Sequence, residues 1–167
     1  MLKRSSVVTV ISLAFVIALV AHPHFRKTVT AELPGGVTAT ISYQTTPANE
    51  SLAENAEVGQ FLVPRGPQLS LSGGVTAGSV QVAAGDYTIG VIKNGSADWT
   101  LGLYPGRLQR GATPDMNQVI KLDSAFSEGE GTADHMLIDI TPGSGELEGK
   151  TVLTLHFGSL FLAGVIG

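Results

Sequence analysis

Two histidines, His22 and His24, flank Pro23 where an apolar stretch ends. Imidazole nitrogen binds copper and zinc well. A cut before His22 would add a free amine, and an amine beside two imidazoles is a chelating set. Pro23 opposes the square-planar form of that site, because it has no amide N–H to give up. A third ligand would have to come from His135 or His156. Each of these stands alone in its own strand pattern, where a half-exposed structural histidine is the ordinary use. His22 and His24 are therefore the candidate metal ligands, for copper or zinc.

Oxygen chemistry has a second candidate. Ser127 to Asp134 carries Glu128, Glu130 and Asp134 among glycines, and hard oxygen ligands suit calcium. The spacing is not that of a helix–loop–helix calcium loop, and a solvated acidic turn is the plainer reading. Asp86 and Asp98 bracket a predicted hairpin, and two carboxylates at the right separation can cleave a glycoside. Aspartate at strand ends more often serves turns. The chain has no G-x-S-x-G elbow, no H-E-x-x-H, no G-x-x-x-x-G-K and no cysteine nucleophile. The residues point away from an enzyme, and no cofactor is expected beyond copper, zinc or calcium.

What positions these residues begins with the first 21. Lys3 and Arg4 precede an apolar run, Val7 to Val20, that ends at the small residue Ala21. This is the order of a secretory signal peptide. The run is shorter than the roughly 20 residues that span a bilayer, so cleavage after Ala21 is expected rather than a retained anchor, with Ala18 as the second choice. Export to a periplasm or to the exterior follows, with no stable membrane span after cleavage. The leader holds two of the ten Lys+Arg and no acid, so its removal leaves eight against fourteen and a net charge of −6. Such a domain is a poor partner for nucleic acid or an anionic membrane. Asn49 and Asn94 each open an Asn-x-Ser triplet, a pattern that chance readily supplies in a chain rich in serine.

Residues 22–167 read as one β-sandwich domain. Val29, Ala31 and Leu33 alternate with Thr28, Thr30 and Glu32, and Val37 to Tyr43 repeats the pattern after Pro34-Gly35-Gly36. Alternation of this kind marks half-buried strands. Asn49 to Ala56 is a short helical turn with Asn49 as its cap. Pro64-Arg65-Gly66-Pro67 is a rigid corner. Asp86 to Tyr104 is a hairpin turning at Asn94-Gly95. Residues 105–117 and the acidic segment Ser127 to Thr132 are loops. Thr151 to Phe157 and Leu160 to Ile166 form a final hairpin about Gly158-Ser159. About ten short strands without a long amphipathic helix mean an all-β, antiparallel sandwich or jelly-roll-like barrel.

Gly85-Asp86-Tyr87-Thr88-Ile89 followed by Asp98-Trp99-Thr100-Leu101 resembles the hairpin of a bacterial family of exported proteins, domain-of-unknown-function family 2911. Pro23-His24 and Thr151 to Phe157 fit that family's ends, so the likeness spans most of 22–166. Its usual Trp-Arg-x-Gly-Ala-Asn-Glu segment does not follow Leu62-Val63-Pro64 here, and no site residue is carried over. The resemblance implies an exported β domain without an assigned activity. The expected function is non-enzymatic: binding of a small-molecule or protein ligand, or an envelope role. A metal-binding protein or a carbohydrate- or peptide-binding module is the alternative.

Overall fold

The computed structural model describes residues 24–167 except 97 and 110, and only the backbone of 128–130. The leader, its cleavage point and His22 lie outside the described residues.

Strands β1 (Arg26–Leu33) and β2 (Val37–Gln44) form the first hairpin, with Val29 opposite Ile41. Ala39, Ile41 and Tyr43 of β2 turn inward, and Thr38 and Gln44 stay exposed. A short helix α1 (Glu50–Glu54) follows; its Asn49 caps by position only, since its side chain accepts from Ser51 rather than from the backbone. β3 (Phe61–Leu62) and β4 (Gln68–Leu71) lie on either side of the Pro64–Pro67 corner. β5 (Val75–Ala77) and β6 (Val80–Val82) form a small ribbon. β7 (Gly85–Gly95) and β8 (Asp98–Pro105) form the central hairpin, and β9 (Ile120–Lys121) extends it. The sheet runs β1-β2-β4-β7-β8-β9, and β3 shares with β4 one edge of β7.

β10 (Ser124–Pro142) and β11 (Thr151–Val165) make a long antiparallel ribbon that covers one face of this sheet. The core lies between the two layers: Ile41, Leu69, Ile89, Leu101 and Leu103 meet Met136, Ile138, Leu153, Leu155 and Leu162. Burying one such aliphatic side chain is worth about 1.5–3 kcal/mol. The fold is an all-β, sandwich-like arrangement of antiparallel sheets. Among the described residues no helix is long and apolar enough to cross a membrane.

Three local expectations change. The final hairpin does not exist: Thr151–Val165 is one strand, and Gly158, at φ 63°, sits in it opposite Ala133. The register slips between Glu128 and Ala133 and again between Ala133 and Leu137, so the glycine takes up a bulge where a reversal is expected. The acidic segment Ser127 to Thr132 is accordingly part of β10 and not a loop. The central hairpin turns beyond Asn94-Gly95, because Gly95 pairs with Asp98 after a register shift. β7 is buried on both faces from Tyr87 to Lys93.

Candidate functional site

The second face of β7 carries Thr88, Gly90 and Ile92, and the space over it belongs to residues 60–66 and 106–119. Gly90 stands opposite Gly102 across the hairpin. Neither has a side chain, and the ring of Phe61 fills the gap: a Cβ on Gly90 would lie 2.5 Å from Phe61 Cζ, and one on Gly102 2.9 Å from Phe61 Cε2. Phe61 is buried there and forms the floor of a groove.

The groove has a volume of about 600 Å³ and lies between the Gln60–Gly66 corner and the Arg107–Pro114 loop. Its polar lining is two arginines, Arg65 and Arg107, and three glutamines, Gln44, Gln60 and Gln109. Leu62, Val63, Leu108 and Pro114 add an apolar strip. Among the described residues no carboxylate lines it, in a chain with fourteen acids against ten Lys+Arg. Among the same residues neither guanidinium has an ion-pair or hydrogen-bond partner. A shallower depression continues past Gln60 and Phe61 to Met116, with Glu57 on its edge.

Two polar side chains, the buried Thr88 and the half-buried Gln68, fix both arginine-bearing loops. Thr88 Oγ1 donates to Gly106 O at 2.9 Å and accepts from Leu108 N at 2.9 Å, so it grips the backbone on both sides of Arg107. Its second acceptor position takes Gln68 Nε2 at 3.0 Å. The same Gln68 nitrogen lies 3.2 Å from Gly66 O and 3.2 Å from Pro67 O, next to Arg65. Ile89 N donates to Pro67 O at 2.9 Å and closes the corner onto β7.

Arg65 has φ 57°, the left-handed region, and among the described residues it is the only non-glycine there. An L-residue with a Cβ loses about 1–2 kcal/mol in that conformation. The tie from Gly66 and Pro67 to Gln68, with a proline on each side, holds the backbone against this cost. Strain held in place by its surroundings is common at binding sites.

The residues singled out by sequence lie elsewhere. His24 Nδ1 is 3.0 Å from Thr45 O, so that nitrogen carries the proton and donates it, and Phe25 N donates to Thr45 Oγ1 at 3.0 Å. His135 bridges to Pro47 on the outward side of β10. His156 faces Leu137 and meets the ring of Phe161 edge-on at 5.5 Å; its Nε2 is buried without a partner. Among the described residues no three of His, Cys, Asp or Glu come together as a metal cluster. Asp86 pairs with Ser70 near one end of the central hairpin and Asp98 with Gly95 at the other. At about 3.3 Å per residue they are some 30 Å apart, so no carboxylate pair forms across the hairpin. Trp99 and Tyr87 are core residues, and the Tyr87 hydroxyl donates to Ala83 O at 2.8 Å.

The groove was not marked as a site by the sequence, although its elements were visible. Pro64-Arg65-Gly66-Pro67 and Pro105-Gly106-Arg107 each place an arginine beside a glycine at a turn. That their turns meet depends on β4 and β8 both flanking β7, which only the sheet order reveals. Comparison with protein-family models, with curated proteins and with solved structures finds no match for the chain.

Proposed function

We propose that this is an exported, non-enzymatic β-sandwich protein that binds a soluble ligand in the groove between Arg65 and Arg107. The groove carries the reading. Its volume lies within the range of small-molecule sites, and it mixes an apolar strip with a few converging polar groups. Its walls are held by hydrogen bonds centred on the buried Thr88, so the site is formed before a ligand arrives. The charged, apolar, small-residue order of residues 1–21 supports export, as does the likeness of the Gly85–Leu101 hairpin to the exported family 2911. Nucleic acid is not the partner of an acidic domain of this kind. Two measurements test the reading. Cell fractionation with N-terminal sequencing should find the protein outside the cytoplasm and starting at His22. A thermal-shift screen of small molecules should find ligands whose effect disappears in Arg107→Ala. A hydrolytic turnover abolished by changing one carboxylate or histidine would refute the non-enzymatic part.

One observation favours a second reading, a copper or zinc site on His22 and His24. The Nδ1–H of His24 is committed to Thr45 O, which leaves its Nε2 lone pair available. Metal-binding histidines are commonly oriented by such a carbonyl. Stoichiometric uptake of copper or zinc by a chain starting at His22, lost in His24→Ala, would support it. No uptake would remove it.

A further inference from the structure

We infer that the ligand of the groove is an acidic saccharide, a short sugar chain bearing carboxylates. The inference rests on the groove being the binding site and goes further by naming the class that fills it. Three features select that class together.

The first is charge. Arg65 and Arg107 line the same groove, and no described acid lines it with them. A guanidinium presents a planar fork of donors that fits both oxygens of a carboxylate. Two such groups without protein partners leave a local positive field on a domain whose overall charge is negative.

The second is the amide set. Gln44, Gln60 and Gln109 each bring a donor and an acceptor, which suits hydroxyl groups, themselves donor and acceptor. Gln60 is already oriented: its Oε1 accepts from Glu57 N at 3.0 Å, so its Nε2 is the end left to donate. A simple dicarboxylate would use the arginines and leave these amides idle. A neutral sugar would use the amides and leave two guanidiniums unanswered. A sugar acid answers both, and the strip of Leu62, Val63, Leu108 and Pro114 accepts the C–H face of a pyranose ring.

The third is rigidity. The Arg65 backbone is held in the left-handed region, where glycine would be relaxed. Arg107 is gripped on both sides by Thr88. The backbones that carry the two charges are therefore both anchored, and the guanidiniums reach into the groove from fixed points.

The experiment is calorimetric titration of the full mature protein with trigalacturonate, with trimannuronate and with fully methyl-esterified trigalacturonate. At least one free acid should bind, and raising the salt should weaken it, since the contacts are partly exposed. Esterification keeps shape and hydroxyls and removes the charge; it should reduce affinity about ten- to a hundredfold. Arg107→Ala should do the same. Arg65→Gly is the sharper variant: it relieves the backbone, so the melting temperature should hold or rise while affinity falls about ten- to a hundredfold. Equal binding of acid and ester would overturn the acidic class and leave the groove standing. Binding of the acid unchanged by Arg65→Gly and by Arg107→Ala would overturn both. Binding of neither trimer would overturn the acidic saccharide, and the thermal-shift screen then decides the groove independently.

Discussion

Gln68 and Thr88 stand opposite each other on β4 and β7, joined side chain to side chain at 3.0 Å. Through them the two arginine-bearing loops share one anchor. The Thr88 hydroxyl has one proton to give and two lone pairs, and all three are used. Thr88→Val keeps the shape and removes the anchor. It should leave Gly106 O and Leu108 N without a partner and destabilise the fold by about 1–3 kcal/mol. A urea melt measures this; an unchanged midpoint would mean the loop is held by something else.

Gly90 is where the central hairpin has no room for a side chain. A methyl group there would meet Leu62 O and the Phe61 ring, each at 2.5 Å. One contact is backbone, so the neighbour cannot simply swing away. Gly90→Ala should cost about 1–3 kcal/mol, as overpacking does. Phe61→Ala, which empties the same gap, should cost about 3–5 kcal/mol.

Lys93 is a buried cation serving a helix end. Its Nζ donates to Ala53 O at 3.1 Å and Glu54 O at 2.9 Å, the closing carbonyls of α1, and lies 5.6 Å from the centre of the Trp99 ring. Lys93→Met keeps the length and loses both donors. The expected loss is about 1–3 kcal/mol, since the Glu54 carbonyl loses its donor while Ala53 O keeps Ala56 N. Trp99 is the chain's one tryptophan, so its fluorescence should shift in the same variant. An unmoved spectrum would separate the ring from the ammonium.

Leu155 is the test of the ribbon as core. It is almost fully buried among the residues that join β11 to the sheet. Leu155→Ala should lower stability by about 2–5 kcal/mol, the range for emptying a packed leucine site. A loss near zero in a denaturant melt would contradict that placement.

Asp123 gives the fold an acid-sensitive tie. Its Oδ2 accepts from Ser79 N at 2.7 Å, linking the β5–β6 turn to the segment before β10. That bond favours the carboxylate and holds its pKa below the usual 3.8. A lowered native pKa stabilises the folded state above the ordinary carboxylate pKa, and the contribution disappears as pH falls through the native value. Wild type should therefore lose melting temperature below about pH 4, and Asp123→Asn should show a shallower loss. Parallel curves for the two would show that other carboxylates dominate.

Much of this was readable from residue order. The β1–β2 hairpin, the short α1 and the central hairpin follow from period-two alternation and from Gly and Pro at turns. The misread places share a cause. Gly158-Ser159 has the composition of a reversal, but the same glycine fits a bulge in a strand whose partner continues past it. Local sequence cannot say whether a partner continues. Ser127 to Thr132 looks like a solvated loop because glycines and acids are poor strand formers, and pairing of Ser127 and Glu128 with Phe161 and Leu160 carries the strand into it against that preference. The groove is further from sight still. Arg65 and Arg107 are 42 positions apart, and their common anchor, Thr88, reads in isolation as an outward-facing threonine. Only the order of three strands turns it inward between two loops.

The strand that closes the core, β11, follows the other described strands in chain order. Leu153, Leu155, Phe157 and Leu162 belong to β11, and among the described residues β10 has no other ladder partner. A nascent chain stopped before Thr151 would have its sheet but nothing to complete the layer above it, and Ile41, Leu69 and Leu103 would lie partly open to water. The domain should therefore stay loose until nearly all of these residues have left the ribosome.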